Sequence, residues 1–434
     1  MADRTPRPAM PPPGVARATL LLTKAAVGAT ITALPAVCSR LGWPAAVLVL
    51  ASVALAAAVS TDIVLDAARA AGGGGSYGAA LAAALPPHAQ PRARAALAAA
   101  TLAFGWGMTC VYTILVADLV GPGGERTGRS VARVGFSVAL TLLLAPLSAP
   151  RAISASAVAA ALGMSAIGLW CVASVALCGV AAAAGRLHPL SVSGTAPVTP
   201  SALARAFATA LNGYVIHMTA PAIAADCGLR DAPRASHAAR AAVAAATALY
   251  STVSLATNAL FGASTVQEDA VRNFSAGALA GLVPARIAAP AAAAVRAAVA
   301  ACMVASYPLM HWAARDALLG MVWRGGAEQG GEAEQGGEAP LLGERRAPSP
   351  TDAASPRALV TATCILCTAA TSVAVAWPDS GDAIAVVGGT AGAVVALFLP
   401  AALAGAAGRR GTAAALAAAG CVAVAGVAVG GGGG

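Results

Sequence analysis

The chain has 434 residues, 58% of them hydrophobic and 10% charged, with a mean hydropathy of +0.75. A soluble domain carries roughly 25% charged residues, so charge here is too sparse to coat a water-facing surface, and the apolar runs of about 20 residues have the length that crosses a bilayer core. The formal net charge of +9 does not mark a nucleic-acid binder, because the arginines sit in the gaps between apolar runs, as the positive-inside rule requires; what remains is an all-α membrane protein in contact with lipid.

In chain order, residues 1–17 form a Pro- and Arg-containing tail with no signal-peptide architecture, so the first apolar run is expected to stay as a helix. Eleven spans are predicted, over about 18–39, 43–69, 95–120, 131–149, 154–182, 201–224, 240–263, 280–313, 357–376, 383–406 and 412–430. The eighth is over-long and should tilt or extend beyond the bilayer. The gap 70–94, rich in Gly and Pro, has room for a short interfacial helix. Residues 325–356, with the acidic repeat GGAEQGGEAEQGGEAP, bury too little apolar surface to fold. They are read as a disordered cytosolic linker between spans 1–8 (18–324) and spans 9–11 (357–434), a spacer with room for a docked cytosolic partner.

Alternate gaps set the sides. Arg4, Arg7, Arg92, Arg94, Arg151, Arg234, Arg345 and Arg346 fall on one side, and Arg126, Arg129, Arg186 and Arg272 on the other. This places the N-terminus in the cytosol. The single N-x-S/T sequon, Asn273-Phe274-Ser275, then lies on the outer or lumenal side, so Asn273 is a candidate glycosylation site. Cys364 and Cys367 form a CxxC inside an apolar run with no partnering His or Cys, which makes them packing residues rather than metal ligands.

The first span reads LTKAAVGATITALP over 22–35 and holds Lys24, the only lysine of the chain. Gly28 weakens a helix and Pro35 lacks an amide. Irregular backbone at membrane depth survives only where protein buries it or a cavity needs it. The sixth span carries Asn212-Gly213, a turn signal, with Pro221 beyond it. Two breaks five spans apart fit inverted five-helix repeats with a binding site between them. An intramembrane ionisable group is a functional candidate by default, and Lys24 shares a helical face with Gly28; the plain alternative is that it snorkels to the interface. Asp62 and Asp66 are expected to pair with Arg69, Asp118 to end a helix, and His311 to lie near the interface. Arg205 and Arg296 are expected to snorkel, and His217 to pack or relay protons. No nucleophile–base pair, metal cluster or phosphate loop is visible, so no cofactor and no enzymatic site are expected.

Several segments together resemble the amino acid/auxin permease family, within the amino acid–polyamine–organocation superfamily. Lys24, Gly28, Leu34 and Pro35 fit K-x-x-x-G-x-G-x-L-x-L-P, and Gly105, Tyr112 and Asp118 fit the third-span pattern. PLSAPR (146–151), YSTVSLATNALFG (250–262), SYPLMHWAAR (306–315) and GGTAGAVVALFLPAAL (388–403) follow in order. Thr30, Ser254 and Thr257 stand where the family has glycine, and Asn212 where it has Gln or His. The resemblance implies a leucine-transporter-like fold with helices 1 and 6 broken, and a secondary transporter of amino acids. By this resemblance Gly28, Ala29, Thr30, Tyr112, Asn212, Gly213 and Tyr214 bind substrate. Lys24 takes the place of a sodium ion beside Ser306, so that H+ rather than Na+ is the coupling ion. A transport-inactive amino-acid sensor and a permease for an auxin-like acid are the alternatives. A monomer in the plasma membrane or the vacuolar or lysosomal membrane is expected.

Overall fold

The computed structural model describes residues 14–72, 76–120, 131–148, 156–229, 231–327, 354–377 and 379–430. Among these there is helix and loop and no strand. Residues 1–13 of the predicted tail and most of the acidic linker lie outside the described residues, whereas 15–17 already belong to the first helix and 325–327 continue another.

The helices are α1 (Val15–Ala26), α2 (Thr30–Leu41), α3 (Trp43–Ala70), α4 (Tyr77–Ala84), α5 (Gln90–Val120), α6 (Val131–Ser148), α7 (Ser156–Ala183), α8 (Pro200–Asn212), α9 (Ala220–Asp226), α10 (Ala232–Phe261), α11 (Ala276–Ala280), α12 (Ala285–Ala327), α13 (Pro356–Ala376), α14 (Ser380–Ala406) and α15 (Arg410–Gly430). Each of the eleven predicted segments is helical. By length and apolar composition, eight helices among the described residues can cross a membrane, or nine if α1 and α2 count as one bent span. The difference from eleven lies in α6, whose apolar stretch Val134–Pro146 is short, and in α8 and α9, each too short alone. The over-long eighth segment is one helix of 43 residues, α12.

Small residues decide how closely the helices pack. A Cβ on Gly388 would stand 2.3 Å from the Ala208 carbonyl oxygen, and one on Gly426 would stand 2.3 Å from that of Ala204. Glycine therefore lets the backbones of α14 and α15 touch α8, the close approach that replaces a hydrophobic driving force in lipid. α14 widens into π-helical turns over Gly388–Gly392 and Val394–Phe398, a form that concentrates at functional sites. The helix expected in the gap 70–94 is α4, but it is anchored inward: Tyr77 is buried and its hydroxyl donates to the Val395 carbonyl at 2.9 Å.

Charges sit at the two ends of the bundle. At one end Arg240 donates to Asp62 at 2.6 Å, and Asp66 meets both Arg69 and Arg409. Asp62 thus pairs across to α10 rather than with Arg69. At the other end Arg40 pairs with Glu268, Arg205 with Asp382, and Arg272 with Asp118 at 2.5 Å. Arg205 does not snorkel free, and Arg296 donates to the Leu119 carbonyl at 2.6 Å. His311, expected near the interface, is fully buried, stacked on Tyr307. Arg315 is fully buried too, donating to the Ser148 carbonyl and the Thr363 hydroxyl.

The end that carries Arg40 is knitted by loops. Gly42 lies at φ +80, ψ 153, a region open to little but glycine, and a Cβ there would stand 2.1 Å from the Val192 carbonyl oxygen. Gly194 meets Arg40 in the same way. Gly42→Ala therefore carries about 1–3 kcal/mol of backbone strain plus a clash with main chain. Gly408→Ala, also at positive φ but with nothing within 4 Å, carries the strain alone. Thermal unfolding in detergent should show the larger loss for Gly42→Ala; equal losses would contradict the packing.

In the loop after α10, Asp269 is buried, with the Val271 amide donating to it at 3.2 Å and Arg272 Nε at 4.0 Å. Burial pushes its carboxyl up to about 7; Arg272, the Val271 amide and Arg296 pull the other way, and Asp118 adds to the rise. The folded protein then holds this proton where the unfolded chain, with an ordinary Asp, has lost it, so stability falls as pH rises from about 4 to about 7. Asp269→Asn should gain stability relative to the parent across that window and keep the gain above it. Melting temperatures at pH 4.5, 6 and 8 with a constant difference would refute this.

Candidate functional site

The first break covers Val27–Ala29. α1 and α2 meet there at 65°, and Val27 at φ −78, ψ 101 has left the helical region. Its amide still closes onto the Thr23 carbonyl at 2.8 Å. The Thr32 hydroxyl and amide both donate to the Ala29 carbonyl at 3.0 Å. The Gly28 amide faces the Tyr250 hydroxyl oxygen. The amides of Ala29 and Thr30 have no backbone acceptor among the described residues. They stand at the N-terminus of the 12-residue α2, where the helix dipole favours an anion.

Lys24 lies one turn before the break, only 4% exposed. Its ammonium donates to Ser306 Oγ at 2.5 Å, faces the Val27 carbonyl at 3.4 Å and lies 3.6 Å from Cys302 Sγ. Ser306 spends its own proton on the Cys302 carbonyl at 2.7 Å, so its lone pairs are left for the amine. No ion pair joins Lys24 to a carboxylate among the described residues. The amine is therefore held by a carbonyl, a hydroxyl and a thiol, the kind of ligands that hold a bare cation. α7 leaves the room: a Cβ on Gly163 would stand 2.4 Å from Lys24 Cε. Lys24 does not snorkel.

The second break begins later than the sequence pattern placed it. α8 stays helical through Asn212, and the backbone is irregular from Gly213 to Thr219. Asn212 is 4% exposed. Its Nδ2 donates to Thr30 Oγ1 at 2.8 Å and to Met108 Sδ at 3.4 Å, while its Oδ1 is buried with no partner. One side chain thus joins the two breaks and keeps an unused acceptor. Tyr112 covers the first break from α5: a Cβ on Gly28 would stand 3.0 Å from its hydroxyl.

α10 splints both breaks. The Tyr250 hydroxyl shares its proton between the Ala26 carbonyl at 2.9 Å and the Gly213 carbonyl at 3.0 Å. Two turns on, Asn258 Nδ2 donates to the Pro35 carbonyl at 2.9 Å. Gly213 is glycine because a Cβ there would stand 2.6 Å from the Tyr250 oxygen. Tyr214, by contrast, turns away: its ring meets Tyr250 edge-on, and its hydroxyl pairs with Thr247 at 2.8 Å. His217 sits in the second break, with Nε2 2.7 Å from Ser60 Oγ and 3.2 Å from Thr61 Oγ1.

The structure therefore brings Lys24, Gly28, Ala29, Thr30, Tyr112, Asn212, Gly213 and Ser306 to one region, with Tyr214 behind it. The geometry adds Tyr250, Asn258, Met108 and Gly163, which sequence reasoning did not single out. Tyr250 and Asn258 lie eight residues apart on one helical face, a signal open to reading but shared by many buried pairs. Asn273 is a correction. It is 5% exposed, its Oδ1 accepts from the Gln267 amide and its Nδ2 donates to the Thr265 carbonyl, both at 2.9 Å. A glycan on that nitrogen would have to fit where the side chain is buried and already holds the loop.

With this geometry in place, comparisons are informative. The family model for transmembrane amino acid transporter proteins matches residues 12–410. Among solved structures the chain is similar to Mhp1, a nucleobase-cation-symport-1 family transporter in a closed conformation with bromovinylhydantoin bound. The TM-score is 0.54 at 11% identity, over 95% of this chain and 89% of that one. At that identity the likeness speaks of fold alone, and it supports the broken-helix transporter fold that the resemblance implied. No curated protein matches the chain.

Tyr250→Phe leaves two buried carbonyls without their donor and should cost about 1–3 kcal/mol. Tyr214→Phe loses one bond to another hydroxyl, worth about 0.5–1.5 kcal/mol. Denaturation in detergent should rank Tyr250→Phe as the more damaging; the reverse order would remove the splint from the account.

Proposed function

The chain belongs to the transmembrane amino acid transporter family, and we propose that it is a secondary transporter that carries amino acids by proton-coupled alternating access. The observation that carries this reading is the pair of facing breaks with unequal satisfaction. The Ala29 and Thr30 amides and the Asn212 Oδ1 are unused among the described residues, whereas the Ala26, Gly213 and Val27 carbonyls are engaged by Tyr250 and Lys24. Free amides at a helix N-terminus accept a carboxylate, and the free carboxamide oxygen accepts an ammonium. A zwitterionic α-amino acid carries both charges at that spacing.

Lys24 supplies the coupling group. Its ammonium neutralises the break from inside, so no sodium ion is needed there. Loss of its proton when the pathway opens would release the Val27 carbonyl and Ser306, and loosen α1 from α12. The two ends of the bundle carry the ion pairs that part and re-form as one group of helices rocks against the other. The arginine-bearing gaps place the N-terminus on the cytosolic side.

Uptake of radiolabelled amino acids into proteoliposomes, under an imposed pH gradient or an imposed sodium gradient, tests the assignment. Wild type should respond to the pH gradient and not to sodium, and Lys24→Ala should fall to the level of empty liposomes while still folding. Sodium-driven uptake, or wild-type behaviour in Lys24→Ala, would overturn the coupling role. Binding of amino acids without flux in wild type would make the protein a sensor instead.

A further inference from the structure

We propose that Met108 selects the substrate: its thioether fills, in the closed protein, the space that an incoming amino acid must take, and limits the site to small, uncharged side chains. This rests on the reading of the paired breaks as an amino-acid site.

Phe104, Met108 and Tyr112 follow one another at four-residue spacing on α5, all buried. Met108 reaches both breaks at once. Its Sδ accepts from Asn212 Nδ2 at 3.4 Å, and its Cε lies 4.0 Å from where a Cβ on Gly28 would be. It therefore lies between the first break, with its unused amides, and the carboxamide of the second.

That contact is built to be given up. A thioether is a weak acceptor, so a carboxylate oxygen offers Asn212 a better partner. Methionine is unbranched, with a flexible chain that re-packs in irregular space. Once it swings aside, Asn212 presents one N–H and an unused carbonyl oxygen next to the Ala29 and Thr30 amides. The sulfur is in effect a placeholder for the ligand's carboxylate.

The chemistry of the walls sets the class of ligand. One turn before Met108 on α5 stands the buried Phe104, and the buried Val215 follows Gly213 in the second break. These neighbours are apolar. The charge at the site is the Lys24 ammonium, which disfavours a cationic side chain. The volume released is that of one methionine side chain, too little for an aromatic ring.

The test is competition uptake in proteoliposomes with glycine, alanine, leucine, phenylalanine and lysine, for wild type, Met108→Ala and Met108→Leu. Wild type should favour the small neutral amino acids. Met108→Ala should narrow the alanine-over-phenylalanine ratio by about tenfold or more, the scale that even one methylene carries in a pocket. Met108→Leu keeps the bulk but loses the acceptor, so it should keep the ratio and lower the apparent KM. An unchanged ratio in Met108→Ala with uptake retained overturns the proposal. If Met108→Ala does not fold, an unchanged KM in Met108→Leu overturns it. Binding of phenylalanine or lysine as tight as alanine in wild type does so too. Absence of uptake of every amino acid by folded wild type is a different failure: it removes the transporter reading, and this inference with it.

Discussion

In hydrocarbon each backbone amide or carbonyl without a partner is a penalty of several kcal/mol, and a chain that breaks two helices at membrane depth must find partners for all of them. The partners here come both from α10 and from the broken span itself. Tyr250 and Asn258 on α10 take carbonyls from both halves of the first span and from the start of the second break. Lys24 and Thr32 take two more. Among the described residues these side chains leave the Ala29 and Thr30 amides and the Asn212 Oδ1 without a partner. Their positions also explain the glycines: Gly213 makes room for the Tyr250 ring, Gly163 for the lysine stem, and Gly388 for α8.

A lysine in this position changes the electrostatics of the whole core. A mobile cation must be bound and released at every cycle, whereas an amine on a tether never leaves. Its ligands are neutral, so nothing in its immediate shell cancels its charge. The serine beneath it is oriented by its own bond to the Cys302 carbonyl, a second layer that fixes where the lone pairs point.

The sequence pattern made the breaks legible because Gly28, Pro35 and Asn212-Gly213 are strong local signals, each set in apolar surroundings. The meeting of Lys24 with Ser306 followed from resemblance rather than from spacing, since 282 residues separate them. Tyr250 was legible only as the first residue of a matched segment, and Met108 not at all. An aromatic or a methionine in a buried helix has the same local signature whether it packs or bonds, and only the tertiary arrangement shows a carbonyl at its tip. The start of the second break was misplaced because Asn212 favours turns by propensity, yet packing against Gly388 and its bond to Thr30 keep it helical. The sequon at Asn273 misled for a related reason: three residues state a chemical possibility and say nothing of burial.

Lys24 is also the chain's single lysine, and the fold seals it away from water. No other side chain here offers a primary amine. Enzymes that attach tags to lysine, and proteases that cut after it, therefore find no accessible target in the folded sequence. Every other basic side chain apart from histidine is arginine, so amine chemistry is left to one buried nitrogen.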